Sequence, residues 1–561
     1  MTHIQLSNKK VIFTKSGWTP SEIEDAMCLG FALEGNNLIA DPGMTTKMSL
    51  WMFIKKNMTV FTMDPGNYAY MNSFYQSLSN LYDEVEREFN DTFFSKLEYP
   101  LPLYGHQTNS VFQMAPKKCN LLSFEQGLGK TITSATLSKV FNLRRTIVIC
   151  PSLVKWNWYH ELTETWGFDP FKFTVLDRNK KKSITAFQEW WVIINFEMVE
   201  KYFDYLTRDV CDHIIIDECH YIKNTKTKRY KGVKKLVDKF PNARITLLSG
   251  TPITNRVNDL FAYCKLTGHP LGSNYAQFLN QYTISNRGSR GVKILGAKNV
   301  DDLRFKMSNF MIRKKTEECV DLPELIINKY FFHNEDYKKE YEGELLSLVE
   351  KEEEYGRLSD KEKTQMAQNI RASLHTLNRI IAISKIKGII ELIDSLRDMG
   401  RKVIVFSSYT DPLNKLLEHY GLSAVKIDGS INSYDRDQNI QRFKNDPECQ
   451  VFLGNVKAAG VGINLVNSSD VIFCNFPFTP DDLEQPYKRA HRIGQKNNVN
   501  VYYTICKDSI DENIYGMIVD KTSDINEIID KGKDGVVNYS SIPNKIFKDL
   551  VNEYKEKNKV A

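Results

Sequence analysis

The run Gly127-Leu-Gly-Lys-Thr131 concentrates phosphate-binding chemistry in five residues. It follows an apolar stretch, Asn120-Leu-Leu-Ser-Phe124, and opens a segment of helical pattern. Strand, glycine loop and helix in that order let backbone N–H groups and a helix N-terminus hold phosphate oxygens. In such a loop Gly127 and Gly129 admit the phosphates, Lys130 reaches the β and γ phosphates, and the Thr131 hydroxyl takes Mg²⁺. The expected ligands are therefore ATP and Mg²⁺. Phe124 stands at the first-glycine position of G-x-x-x-x-G-K-[ST], so the loop taken alone is also compatible with a chance glycine-rich turn.

A second constellation is Ile214-Ile-Ile-Asp217-Glu218-Cys219-His220, an apolar run ending in adjacent carboxylates. At a strand end Asp217 can ligate Mg²⁺ while Glu218 orients and deprotonates the attacking water. By itself such a pair reads as a solvated loop start; its place after Lys130 in the same expected sheet points to catalysis. A third set is Gln485, Arg489, His491, Arg492, Gly494 and Gln495. Phosphoryl transfer needs positive charge at the γ-phosphate, which a guanidinium fork supplies. Two arginines three apart can equally be a solvated helix face.

The elements that must hold these residues are legible as alternating patterns. Short β-branched runs at 120–124, 146–150, 191–195, 213–217 and 244–248 recur between helical stretches, and a second series follows at 402–406, 450–454, 470–474 and 500–504. Such alternation predicts an α/β fold with two parallel sheets covered by helices on both faces. Ile386, Ile389, Ile390 and Ile393 mark one face of a helix that Gly400 ends. The charged segment 335–385 reads as a helical insertion outside the core, residues 1–95 as a separate α+β domain, and 553–561 as a frayed end.

Composition sets the outer limits. The chain has 561 residues, 42% hydrophobic and 26% charged, with 75 basic against 69 acidic side chains, so phosphate-backbone binding must come from local patches. Ten cysteines show no C-x-x-C pair, which argues against a zinc site or disulfide framework and for a reducing compartment. No apolar run approaches the roughly 18 residues of a membrane span. A soluble, unexported protein without membrane partners is expected.

Taken in order, Tyr104-Gly-His-Gln107, Gly127-Leu-Gly-Lys-Thr131, Asp217-Glu-Cys-His220, Leu248-Ser-Gly-Thr-Pro252, Ala458-Ala-Gly-Val-Gly-Ile-Asn-Leu465 and Arg489-Ala-His-Arg-Ile-Gly-Gln495 resemble the superfamily 2 helicase-type ATPases, and among them the Swi/Snf-type DNA translocases. Phe478-Thr-Pro480 is similar to the annealing-helicase subgroup, which remodels forks. The resemblance implies two RecA-like P-loop lobes at 96–325 and 326–540, with a tail at 541–561.

It also implies residue roles. Gln107 would read adenine, Gln485, Gly460 and Gly462 would contact nucleotide from the second lobe, and Arg489 and Arg492 would be arginine fingers. Ser249 and Thr251 would couple hydrolysis to lobe movement, while Ser152, Lys155, Asn195, Ser407, Ser408 and Lys457 would meet the nucleic-acid backbone. Val456, Ala459, Cys219, Pro486 and Lys488 depart from the family pattern.

The implied activity is ATP-driven movement on duplex or branched DNA, independent of sequence, by a monomeric motor. Its compartment would be the cytoplasm of a bacterial or phage-infected cell, or the nucleus of a eukaryote. A strand-separating DNA or RNA helicase and a nucleotide-gated DNA-binding scaffold are the alternatives. Residues 1–95, with Trp51, Phe53, Phe61, Tyr68, Tyr70, Phe74, Tyr75, Lys55 and Lys56, are read as a selector of branched DNA. A chain starting near Phe94 is then expected to keep basal ATPase activity.

Overall fold

The computed structural model describes residues 3–7, 9–42, 44–57, 65–177, 189–250, 252, 257–288, 291–333, 337–355, 360–459, 463–518 and 542–559. The chain divides into two compact units, the first running through Cys319 and the second beginning at Val320.

The first unit opens with β1 (His3–Ser7), β2 (Lys10–Thr14), β3 (Ala32–Glu34) and β4 (Asn37–Ala40), an antiparallel sheet of order β1-β2-β4-β3. The helix Pro20–Cys28 starts where Thr19 and Glu22 cap each other's backbone N–H groups. Val11, Phe13, Phe31, Leu38 and Phe53 share a core with Phe305, which belongs to the following α/β body. The expected separate domain is thus packed into its neighbour. Lys306, 2% exposed, lies 3.5 Å from Glu24, 3.6 Å from Asp25 and 3.7 Å from Asp302. Asn309 adds two bonds, donating to the Met44 carbonyl and accepting from Thr46 N–H.

The α/β body contains β5 (Cys119–Phe124), β6 (Thr146–Cys150), β7 (Phe173–Val175), β8 (Trp191–Asn195), β9 (His213–Ile216) and β10 (Arg244–Leu248). A hairpin of β11 (Thr283–Gly288) and β12 (Gly291–Ala297) precedes β13 (Met311–Lys314). Among the described residues these form a seven-stranded sheet of order β13-β5-β10-β9-β6-β8-β7, parallel at every pairing. Because both faces are covered, the strands read as unbroken apolar runs, and Ile214, Ile215 and Ile216 are all fully buried.

One polar chain crosses that core. Ser138 and Thr246 hydroxyls lie 2.7 and 2.8 Å from the two ring nitrogens of His213. They join the helix Lys130–Val140 to β9 and β10. Burial pushes the His213 imidazole down to about 3.

The second unit holds β14 (Leu325–Phe332), β15 (Val403–Ser407), β16 (Ala424–Ile427), β17 (Val451–Asn455), β18 (Asp470–Phe473) and β19 (Val499–Cys506). Their order is β14-β19-β18-β15-β17-β16, again parallel throughout. Helix Ile386–Asp398 buries Ile386, Ile389 and Ile393, and Gly400 ends it with φ 73°. Just before that helix, Lys385 and Asp511 form an ion pair of 2.6 Å with neither side chain exposed.

Two readings are corrected here. The helices Lys338–Tyr355 and Asp360–Ser384 are not outside the core: Tyr341, Leu348, Leu374 and Leu377 pack into it. The stretch expected as a tail, 541–561, holds a helix, Ile542–Lys559, whose Ile546, Phe547, Leu550 and Val551 are buried in the same cluster. No helix among the described residues is long and apolar enough to cross a membrane.

Candidate active site

Parallel strands put all their C-terminal ends on one edge of a sheet, and that is where loops with chemistry gather. In the first unit β5 leads into Gly127–Thr131, β10 into Ser249, and β9 into Asp217-Glu218, three strands adjacent in the sheet. The next two, β6 and β8, lead into Ser152 and end at Asn195. Candidate nucleotide groups and candidate nucleic-acid groups thus occupy neighbouring stretches of one edge.

The phosphate loop adopts backbone that favours glycine: φ is 91° at Gly127 and 78° at Gly129, the residue capping helix Lys130–Val140. Phe124 explains its own departure. It is still a strand residue, paired with Lys314 of β13, and its buried ring packs edge-on to His106 at 5.8 Å. Extended backbone needs no glycine there. Lys130 Nζ donates to the Phe124 carbonyl at 3.0 Å and the Glu125 carbonyl at 3.3 Å.

Gln107 is buried beside this loop. Its Nε2 donates to the Leu128 carbonyl at 3.2 Å, and its Oε1 accepts from Tyr104 N–H at 3.0 Å. His106 Nε2 lies 2.9 Å from the same Leu128 carbonyl, and burial lowers its pKa. The Tyr104–Gln107 segment therefore braces the loop. On the other side a β-carbon placed on Gly250 would lie 3.8 Å from Lys130 Nζ. Ser249 is buried, with its N–H on the Leu122 carbonyl at 3.1 Å. Thr251 lies outside the described residues.

Asp217 extends the ladder, its N–H donating to the Ile149 carbonyl at 2.8 Å. Its carboxylate accepts from Glu218 N–H at 2.9 Å and from Trp158 Nε1–H at 2.8 Å. Burial first, then the neighbouring Glu218 charge, raises its carboxyl to about 6. Glu218 sits at φ 49°, a left-handed conformation unusual for a non-glycine residue and typical of functional turns. Its carboxylate lies 3.2 Å from His220 Nδ1. Cys219 is fully buried, and burial drives its thiol pKa well up.

The nucleic-acid candidates divide. Ser152 and Lys457 are exposed. Lys155 is the clearest departure from expectation: at 1% exposure it points inward, donating to the Leu176 carbonyl at 2.8 Å and to Asp177 at 3.0 Å. Its charge is spent inside the unit. Asn195 is buried and donates to Glu197 at 2.7 Å. Ser407 is buried, and its Oγ and the Ser408 N–H both donate to Asn475 Oδ1, at 3.1 and 2.9 Å. Asn475, which sequence reasoning missed, thus organises the loop after β15. Its only signal was its place just after an apolar strand.

In the second unit Gln485 is half-buried on helix Pro480–Tyr487, which carries Pro486 in its last turn. Arg489 is buried, and its carbonyl accepts from Leu465 N–H at 3.0 Å. Arg492 donates to the Ile463 carbonyl at 3.4 Å. Gln495 serves as a knot: its amide donates to the Val466, Ser468 and Ala490 carbonyls and accepts from Lys496 and Asn497 N–H groups. Gly460 and Gly462 lie outside the described residues.

Two of the aromatics expected in a selector can be placed. Trp51 is exposed beneath Lys55, whose Nζ is 5.0 Å from the ring, while Phe53 is core. Lys56 is held by Asp25 at 2.6 Å and Asp302 at 3.1 Å. Phe61 lies outside the described residues, as do the side chains of Tyr68, Tyr70, Phe74 and Tyr75.

The SNF2-related domain family matches residues 69–391, and the helicase conserved C-terminal domain matches residues 384–494. The Caenorhabditis elegans homolog of SWI/SNF-related matrix-associated actin-dependent regulator of chromatin subfamily A-like protein 1 is 26% identical over 73% of this chain and 59% of its own length. The human DNA annealing helicase and endonuclease ZRANB3 is 24% identical over 71% of this chain and 37% of its own. The chain therefore spans less than two thirds of the length of these relatives. A solved SWI2/SNF2 ATPase core of Sulfolobus solfataricus in complex with dsDNA is 24% identical with TM-score 0.36, covering 78% of this chain and 95% of that one. With the SNF2-related match extending over more than half of the sequence, a span that includes the phosphate loop and the Asp217-Glu218 pair, this chain belongs to the SNF2-related family and carries a helicase conserved C-terminal domain.

Proposed function

We propose that this chain is an ATP-driven DNA translocase that moves along duplex or branched DNA. The observation that carries the reading is the meeting of three loops at adjacent strand ends: Lys130 on the phosphate loop, Ser249-Gly250 against it, and Asp217-Glu218 beyond. Thr131 and Asp217 offer hard oxygen donors beside an excess of buried negative charge, which suits Mg²⁺. Bound there, the ion would neutralise charge on the phosphates. Gly127, Gly129 and Lys130 hold the phosphates, Gln107 positions the loop and contacts the base, and Glu218 takes the proton of the attacking water. By the family resemblance, Arg489 and Arg492 would supply guanidinium charge, and Gln485, Gly460 and Gly462 would be nucleotide contacts. Ser249 and Thr251 transmit the change.

Ser152, Asn195, Ser407, Ser408 and Lys457 mark the DNA-facing loops. Polar side chains and amides there would contact phosphates and read no bases, as a motor crossing any sequence requires. A relative named as a DNA annealing helicase favours DNA over RNA as substrate, with the chain acting as a monomer wherever DNA is held. The packing of helix Pro20–Cys28 against Lys306 and of the first sheet's core against Phe305 favours a structural brace over a detachable selector.

The test is ATP turnover in the presence of single-stranded DNA, duplex, forks, four-way junctions and RNA at several salt concentrations. Stimulation by duplex and branched DNA, falling steeply with salt and indifferent to sequence, is expected. Turnover unaffected by any nucleic acid would refute the reading.

A further inference from the structure

The candidate nucleotide and nucleic-acid loops of the first unit are linked by one side chain. The segment after β6 begins with exposed Ser152, turns through a 3₁₀ helix Ser152–Val154 and continues as helix Lys155–His160. Lys155 anchors its start through Leu176 and Asp177. A wide turn follows at Glu161–Thr165, with Trp166 N–H donating to the Glu161 carbonyl at 3.2 Å. Such turns inside helices are rare and concentrate at functional sites. Between the two anchors stands Trp158, 1% exposed, and its Nε1–H reaches Asp217 Oδ2 at 2.8 Å.

An indole N–H can only donate, and a carboxylate is the strongest acceptor it can meet. With Glu218 N–H on Oδ1 and Trp158 on Oδ2, both oxygens of Asp217 are oriented, one by its own turn and one by a helix from the neighbouring strand connection. Any displacement of the Ser152–His160 segment must therefore move or break a bond to the metal-side carboxylate. We infer that Trp158 is a positioning residue that ties DNA engagement at the loop after β6 to the setting of Asp217, so that DNA stimulates hydrolysis through this indole N–H. The inference rests on the translocase reading above.

The experiment compares Trp158→Phe with Trp156→Phe, which trims the same helix but leaves the Trp158–Asp217 bond in place. Trp158→His, which keeps a ring N–H, is the rescue variant. Basal ATPase activity, the ratio of duplex-stimulated to basal turnover, and the Mg²⁺ concentration for half-maximal activity are measured for each. Trp158→Phe is expected to lose roughly tenfold of the stimulation ratio and to need roughly tenfold more Mg²⁺, the scale of one charge-assisted hydrogen bond. Trp156→Phe should stay near wild type and Trp158→His should recover part of both losses.

A Trp158→Phe protein with unchanged stimulation and Mg²⁺ dependence overturns the inference, as does a His variant no better than Phe. Wild type without any DNA stimulation would instead remove the translocase reading itself. Should the variants not fold, peptide-level hydrogen exchange on the wild type decides. Duplex DNA should change exchange in residues 151–160 and 214–222 together, and a change in the first without the second overturns the link.

Discussion

The amide of Gln107 occupies the space into which a β-carbon on Gly129 would project. With φ 78° at Gly129, backbone strain adds to that collision. Gly129→Ala is therefore expected to displace Gln107, distort the phosphate loop and weaken nucleotide binding by at least about tenfold. Titration with a fluorescent ATP analogue checks it, and wild-type affinity would show that the loop holds phosphate some other way.

Glu218→Gln keeps size and hydrogen bonding but cannot take a proton. ATP and DNA binding should persist while turnover falls by roughly 10² to 10⁴, the usual contribution of a general base. Lys130→Ala should instead weaken nucleotide binding. Filter binding and phosphate release on both variants separate the two roles, and normal turnover in Glu218→Gln places the base elsewhere.

Arg489→Lys and Arg492→Lys should each lose most DNA-stimulated turnover, because an ammonium cannot reproduce a planar fork of donors. Arg489 is buried, so its folding is checked first by thermal unfolding. Near-normal turnover of either folded variant would assign that arginine to structure alone.

Lys306 sits at 2% exposure among Glu24, Asp25 and Asp302. A chain starting near Phe94 keeps only Asp302 of the three, and breaking a buried charge cluster costs about 3–5 kcal/mol. That truncated chain is expected to unfold earlier or precipitate. In the full chain, Asp25→Leu with Lys306→Met should recover most of the stability that Asp25→Leu alone removes. Urea unfolding provides the comparison, and equal stability of the truncated and full chains would restore the separable-domain reading.

His213 is held near 3 in the folded chain against an ordinary value of 6.5. Protons therefore bind preferentially to the unfolded chain. The stability this imidazole contributes is complete above about 6.5 and is lost toward about 3, at about 1.4 kcal/mol per pH unit. Between pH 7.5 and 5.5 wild type should lose about 1.4 kcal/mol more than His213→Gln, measured by urea midpoints. Parallel losses in the two proteins would mean that His213 does not titrate on unfolding.

The amino-acid sequence by itself determined the runs that become β5, β6, β8, β9 and β10 and the loops at their ends, since a strand covered on both faces must be apolar and a phosphate loop needs glycine beside lysine. It equally determined the helix Ile386–Asp398, whose apolar spacing is a property of consecutive residues. What it could not determine are choices made by residues far apart in the chain. Strands such as β7, β13 and β16 are short and exist because a neighbour pairs with them. Lys155 has the composition of a phosphate contact, and only the position of Asp177 turns it inward. Trp158 shows no periodic signal, yet sheet order places β6 beside β9 and so brings its indole to Asp217. Lys306 has Asp302 one turn back on its own helix, but gains Glu24 and Asp25 only when the first helix packs on it. Local patterns report how a segment must be covered; which side chain covers it depends on the order in which the strands assemble.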